Sequence, residues 1–101
     1  MWLFVMFDVP VGSRTARRRY ARLRKALKRQ GFSMLQYSVY ARYFASEEAT
    51  TRHRRLIRAM VPPSGHVRLL SVTDRQFGKM EVFLGETEHE PEKPPRQVKL
   101  F

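Results

Sequence analysis

Cysteine is absent from the 101 residues, which removes disulfide staples, thiolate zinc sites and a cysteine nucleophile together. Acid is scarce through most of the chain: residues 1–80 carry 17 basic side chains and 4 acidic ones, whereas residues 81–101 carry 3 and 5. Long apolar runs are missing too. The longest, residues 1–7, ends at Asp8 and Pro10, well short of the ~20 residues of a membrane span and without the basic stretch that precedes a signal peptide's apolar core. The expectation is a soluble, untargeted, cytoplasmic protein with no membrane partner. Phosphate-binding glycine loops, a His-Glu-x-x-His zinc motif and a Gly-x-Ser-x-Gly elbow are all lacking, and most enzyme classes lose their support with them.

What remains is a small polycation, with a net charge of +11. A domain of about 100 residues buries some 60 to 70% of its unfolded surface, enough for one modest core and not for a deep substrate chamber. The polyanion most available to such a chain is nucleic acid.

Residues 1–7 are continuous in apolar, β-branched and aromatic side chains and predict a buried strand. Alternation puts Trp2, Phe4, Met6 and Asp8 on one side and Leu3, Val5 and Phe7 on the other. Both sides are apolar. Helices can cover only one, so the other needs a further layer, most simply the same sheet of a second copy; a homodimer is expected.

Residues 14–30 predict a helix, with Ser13 to cap it, Gly31 to end it, and Ala16, Tyr20, Leu23 and Leu27 as an apolar stripe. Arg14, Arg17, Arg18, Arg22, Lys25, Lys28 and Arg29 fall opposite the stripe, with Arg19 and Arg24 beside it. Residues 32–44 predict two strands turning around Gln36, Tyr37 and Ser38. Ser46, Glu47 and Glu48 start a second helix carrying Ala49, His53, Leu56, Ile57 and Met60, which stops before Pro62. Residues 67–72 and 80–84 predict two more strands joined by a turn over residues 73–79. The order β-α-β-β-α-β plus a last strand is an α+β, ferredoxin-like sandwich with an additional C-terminal strand. The domain spans residues 1–84. Residues 85–101 form an acidic, Pro-rich linker and a short apolar end in which Val98, Leu100 and Phe101 are candidates for docking on a partner.

Two features carry chemistry. Residues 14–29 hold nine cations and no acid, whereas a merely solvated helix face mixes signs to limit repulsion. Arg14, Arg17, Arg18, Arg22, Lys25, Lys28 and Arg29 are therefore candidate nucleic-acid contacts. Guanidinium forks suit phosphate oxygens, and no aromatic ladder accompanies them to stack unpaired bases, which favours duplex DNA. The second feature is Asp8. Of the acids inside the fold, Glu47 and Glu48 cap a helix, leaving Asp8 and Asp74 at strand ends. A carboxylate at Asp8 suits Mg²⁺, a hard cation that takes oxygen ligands, and two copies about a twofold axis would bring two Asp8 carboxylates together. The alternative is a turn residue bonding the backbone of residues 9–12. His53, His66 and His89 are scattered and expected to be structural or solvent-facing.

Phe7-Asp8-Val9-Pro10-Val11, Arg18-Arg19-Tyr20, Gly31-Phe32-x-Met34-Leu35-Gln36-x-Ser38-Val39-Tyr40-x-Arg42 and Gly65-x-Val67-Arg68-Leu69-Leu70-x-Val72-Thr73-Asp74-x-Gln76 follow one another in the order of the CRISPR-associated protein 2 family, which the chain resembles over residues 1 to about 84. The wording around Met34-Leu35-Gln36 is similar to the branch beside single-effector CRISPR systems. The resemblance implies a ferredoxin-like homodimer that stands between dimers of the CRISPR integrase and holds duplex prespacer DNA during spacer acquisition. It also implies a Mg²⁺-dependent endonuclease acting on RNA or DNA, with Asp8 as catalytic and metal-binding residue. From a different class, a ferredoxin-like single-stranded RNA binder would need a Lys/Arg-Gly-Phe-Gly/Ala-Phe motif on an inner strand, which residues 77–82 do not supply.

Overall fold

The computed structural model describes residues 1–86. Its elements are β1 (Trp2–Asp8), α1 (Arg14–Arg29), β2 (Ser33–Gln36), β3 (Val39–Tyr43), a 3₁₀ turn over Glu48–Thr50, α2 (Thr51–Ala59), β4 (His66–Val72) and α3 (Asp74–Gly78). The strands form one antiparallel sheet in the order β2-β3-β1-β4, with β1 and β3 in its interior. This is the expected α+β, ferredoxin-like arrangement.

Side-chain alternation along β1 decides the layers. Leu3, Val5 and Phe7 are buried against Leu23 and Leu27 of α1, Ile57 of α2 and Tyr40 of β3, so both long helices cover the same side of the sheet. Each fully buried leucine contributes about 1.5–3 kcal/mol relative to exposure. Trp2, Phe4 and Met6 lie on the other side and are only half-buried.

Local chemistry sets the boundaries. Ser13 Oγ accepts the Ala16 amide at 3.0 Å to start α1. Gly31 follows its end with φ +86°, a conformation open to glycine at no steric cost. Ser38, with φ +65°, turns β2 into β3. Ser46 Oγ accepts the Ala49 amide at 3.3 Å and begins the 3₁₀ turn that leads into α2.

Two expectations fail. Residues 73–79 are not a plain turn: Thr73 and Gln76 form a reciprocal capping box, with Thr73 Oγ1 accepting the Gln76 amide at 3.0 Å and Gln76 Oε1 accepting the Thr73 amide at 2.9 Å, and α3 results. Residues 80–86 form no strand. A strand needs a neighbour for its backbone groups, and these residues pair with neither free edge, β2 or β4. Their apolar side chains stay outside, Phe83 at 84% exposure. The candidate docking residues Val98, Leu100 and Phe101 lie outside the described residues.

Candidate nucleic-acid interface and acidic strand end

α1 turns Leu23 and Leu27 into the core and leaves Arg14, Arg17, Arg18, Arg22, Lys25, Lys28 and Arg29 exposed. All seven expected contacts thus stand on the surface. They separate into two sets. Arg18, Arg22, Lys25 and Arg29 follow one line at spacings of four, three and four, and together with Ala21, Ala26 and Met60 they line a groove of about 460 Å³. At 1.5 Å per residue that line is about 16.5 Å long, the length over which one strand of B-form DNA carries about five phosphates. Arg14 and Arg17 belong to the N-terminal end, where Arg17 Nη1 donates to the Val11 carbonyl at 3.4 Å. No acid occupies the first turn. Cations at the positive end of a helix dipole typically cost a few tenths of a kcal/mol or more each, a cost that an anionic partner reverses.

Arg24 is engaged differently. It is half-buried, with its guanidinium 5.5 Å from the Tyr20 ring centre, which agrees with its position beside the apolar stripe. Arg42, Gln30 and His53 form a connection that sequence reasoning missed. Arg42 Nη1 donates to the Gln30 carbonyl at 2.7 Å and approaches His53 Nε2 at 3.0 Å, while His53 Nδ1 lies 2.9 Å from Gln30 Oε1. A guanidinium only donates, so Nε2 is the acceptor and Nδ1 carries the proton. The ring is neutral. Burial, then the charges of Arg42 and Arg52, hold its pKa below the ordinary histidine value. The network ties the end of α1 to β3 and α2, and no spacing in the sequence announces it.

Asp8 ends β1 on the side of Trp2, Phe4 and Met6, and it is exposed. Its register partner on β4 is His66. Among the described residues its carboxylate takes no hydrogen bond or ion pair, so the expected alternative, a carboxylate bonding the turn at residues 9–12, is not formed. Asp74 plays another part at the opposite end of β1: its Oδ1 pairs with the Met1 ammonium at 3.0 Å. The two acids do not converge. Among the described residues no three metal-ligating side chains cluster, so at the end of β1 a metal would meet Asp8 without two further ligands from the described residues.

Residues 1–80 match the family model described as CRISPR associated protein Cas2. The chain belongs to the Cas2 family. Relatives named "CRISPR-associated endoribonuclease Cas2" include one from Parvibaculum lavamentivorans, 45% identical over 101 residues with all of each chain covered. Another, from Flavobacterium psychrophilum, is 41% identical over all of this chain and 88% of that one. The crystal structure of Streptococcus pyogenes Cas2 at pH 6.5 superimposes with a TM-score of 0.67 over 82% of this chain and 99% of that one, at 14% identity, which speaks to the fold. The Cas2-family fold accounts for the shape of the sheet and helices. The run of α1 cations is a property of these residues. Among the described residues no helix is long and apolar enough to cross a membrane.

Proposed function

We propose that the chain is a homodimeric, cytoplasmic subunit of CRISPR spacer acquisition that binds duplex prespacer DNA along α1 and bridges dimers of the CRISPR integrase. The observation that carries the reading is the acid-free α1 face, with four cations aligned along one groove. The dimer is supported by the helix-free side of the sheet: Trp2, Phe4 and Met6 run along β1, and Tyr43 and Leu70, each 50% exposed, stand on its neighbours β3 and β4. A second copy packed there would cover them. The single-stranded RNA reading loses support on the same surface. Phe77 of α3 stacks on Trp2 at 4.1 Å and meets Phe4 edge-on at 5.7 Å, so one face of the Trp2 ring on which a base would stack is taken within the chain, although both rings stay half-buried.

Endonuclease activity on RNA or DNA is the second part of the reading, supported by the names of the relatives and by the free Asp8 carboxylate. Its chemistry fits Mg²⁺ as half of a ligand set, the other half being Asp8 of a second copy, with waters completing the shell. Such an ion activates water and neutralises developing charge on a phosphate. Asp8 would hold it, and the α1 cations would hold the phosphodiester backbone.

Titration of duplex DNA against salt tests the binding surface. Log affinity is expected to fall by about 0.9 per log unit of salt for each phosphate neutralised, and Arg18→Gln/Arg22→Gln/Arg29→Gln to reduce the slope by about 2.7. An unchanged slope places the DNA elsewhere. In parallel, Asp8→Asn is expected to remove Mg²⁺-dependent cleavage and to preserve DNA binding and integration when the integrase is supplied. Loss of integration by a folded Asp8→Asn dimer overturns the architectural reading.

A further inference from the structure

The last rung of the β1–β4 ladder sets an acid beside a histidine. β1 and β4 stay in register from Trp2 opposite Val72 to Asp8 opposite His66. Directly opposed residues of an antiparallel pair point to the same face with Cβ atoms about 4.5–5.5 Å apart, so Asp8 and His66 rise together on the side of Trp2, Phe4 and Met6. Both are exposed. Among the described residues neither the Asp8 carboxylate nor the His66 imidazole takes a hydrogen bond or an ion pair. The backbone beneath them is held from both sides: Val9, the residue after Asp8, is buried, and a Cβ on Gly65, the residue before His66, would lie 2.9 Å from Val9 Cγ1. His53 has no such freedom, because Arg42 and Gln30 take both of its ring nitrogens.

We propose that His66 joins Asp8 as the second ligand that each chain gives to a divalent metal ion, and that it turns the site from Mg²⁺ toward a first-row transition ion such as Mn²⁺. His66 acts there only if Asp8 holds a metal, so the proposal rests on that reading of Asp8 and names the ligand beside it. A carboxylate and an imidazole on neighbouring Cβ atoms can reach one small ion at roughly 2.0–2.2 Å each. Two paired strands also place ligands more precisely than loops do. Mg²⁺ takes oxygen ligands and keeps its waters, so it gains little from His66. A transition ion gains an imidazole, a ligand of the kind it prefers. Asp8 of a second copy, the other half of the Mg²⁺ ligand set, arrives with its own His66. Arg68, opposite Met6 and next on the same face of β4, is exposed. Its charge disfavours a bare cation and suits one that carries a phosphate.

Pulsed electron paramagnetic resonance of the untagged full chain with Mn²⁺ alone tests the assignment, because it detects a nitrogen bonded to the ion. The expected spectrum shows a histidine nitrogen coupling that disappears in His66→Gln and persists in His89→Gln. Labelling only the histidines of the wild type with ¹⁵N is expected to alter the coupling, a readout that does not depend on the folding of a variant. Calorimetric titration runs beside it. His66→Gln is expected to lose about tenfold or more in Mn²⁺ affinity, since removing even an outer partner of a metal ligand costs that much, and to change Mg²⁺ affinity by less than about twofold. Asp8→Asn is expected to weaken both ions. Mn²⁺ that binds through Asp8 with no nitrogen coupling, or with a coupling that survives His66→Gln, overturns the role of His66 and leaves the reading of Asp8 standing. Wild type that binds neither ion, or binding unchanged by Asp8→Asn, overturns the reading of Asp8 and the proposal with it.

Discussion

Acid should loosen the junction between α1, β3 and α2 before it affects the rest of the fold. His53 accepts from Arg42 through Nε2 and donates from Nδ1 to Gln30 Oε1. Protonation places the ring's second hydrogen on Nε2, facing a guanidinium that has no lone pair to accept it, while the Phe32 and Phe44 rings flank the imidazole at 6.3 and 5.1 Å. The direction of the shift gives the sign. Because the folded-state pKa is depressed, the unfolded chain binds more protons in the interval between the two values. The stabilisation is therefore complete above the ordinary value of about 6.5 and is lost as pH falls from there through the folded pKa. His53→Leu keeps the volume and removes the acceptor. Arg42 still donates to the Gln30 carbonyl, so the expected cost near pH 8 is that of one hydrogen bond to a charged group and one neutral hydrogen bond to Gln30, about 2–4.5 kcal/mol together. Urea unfolding of both proteins at pH 8.0, 6.5 and 5.5 is the assay. Wild type should lose stability across the series relative to the variant, and the two curves should converge at the acid end. A variant that tracks the wild type in parallel, at any offset, would show that His53 is not the titrating group and would refute the argument.

Two further substitutions probe packing. The Tyr40 hydroxyl is buried with no hydrogen-bond partner among the described residues, so Tyr40→Phe should leave stability unchanged or raise it by up to about 1 kcal/mol; a loss larger than that in denaturant titration would reveal a partner. A Cβ at Gly65 would lie 2.9 Å from Val9 Cγ1 and 3.1 Å from the Pro62 carbonyl oxygen, so Gly65→Ala should cost about 1–3 kcal/mol through overpacking, and an unchanged thermal midpoint would show that the loops yield.

The parts of the fold that local chemistry determines were legible in the residues, and the parts that need a neighbour were not. α1 could be drawn from Ser13, the Leu23 and Leu27 spacing and Gly31, because capping and periodicity act within one helix. The same spacing put seven cations on its surface, where they stand. α3 was missed although its signal is present: Thr73 and Gln76 are a capping-box pair around Asp74, overlooked because five residues carry too little periodicity to suggest a helix. Residues 80–84 misled for the opposite reason. Their apolar character reports a wish to be covered and says nothing of which edge would pair with them. Asp8 could be singled out from its place at the end of β1, but its freedom from the turn could not, since Asp serves both uses. The Arg42–His53–Gln30 contacts join positions 11 to 23 residues apart, and only the folded backbone brings them together.

α1 is held unequally along its length. The carbonyl of its C-cap residue, Gln30, accepts from the Arg42 guanidinium, a cation at the negative end of the dipole, and Gly31 and Phe32 amides return to Lys28 and Leu27 at 3.0 Å. Its first turn has one serine cap and like charges that oppose the dipole. Spontaneous opening of the helix therefore starts at Arg14 and travels toward Leu23, so amide protons of the first turn exchange with solvent well before those of the last. Opening is cheapest where the cations are least compensated. A phosphate that settles there does two things in one event: it gains a ligand site, and it extends the lifetime of the helix that presents the rest of that site.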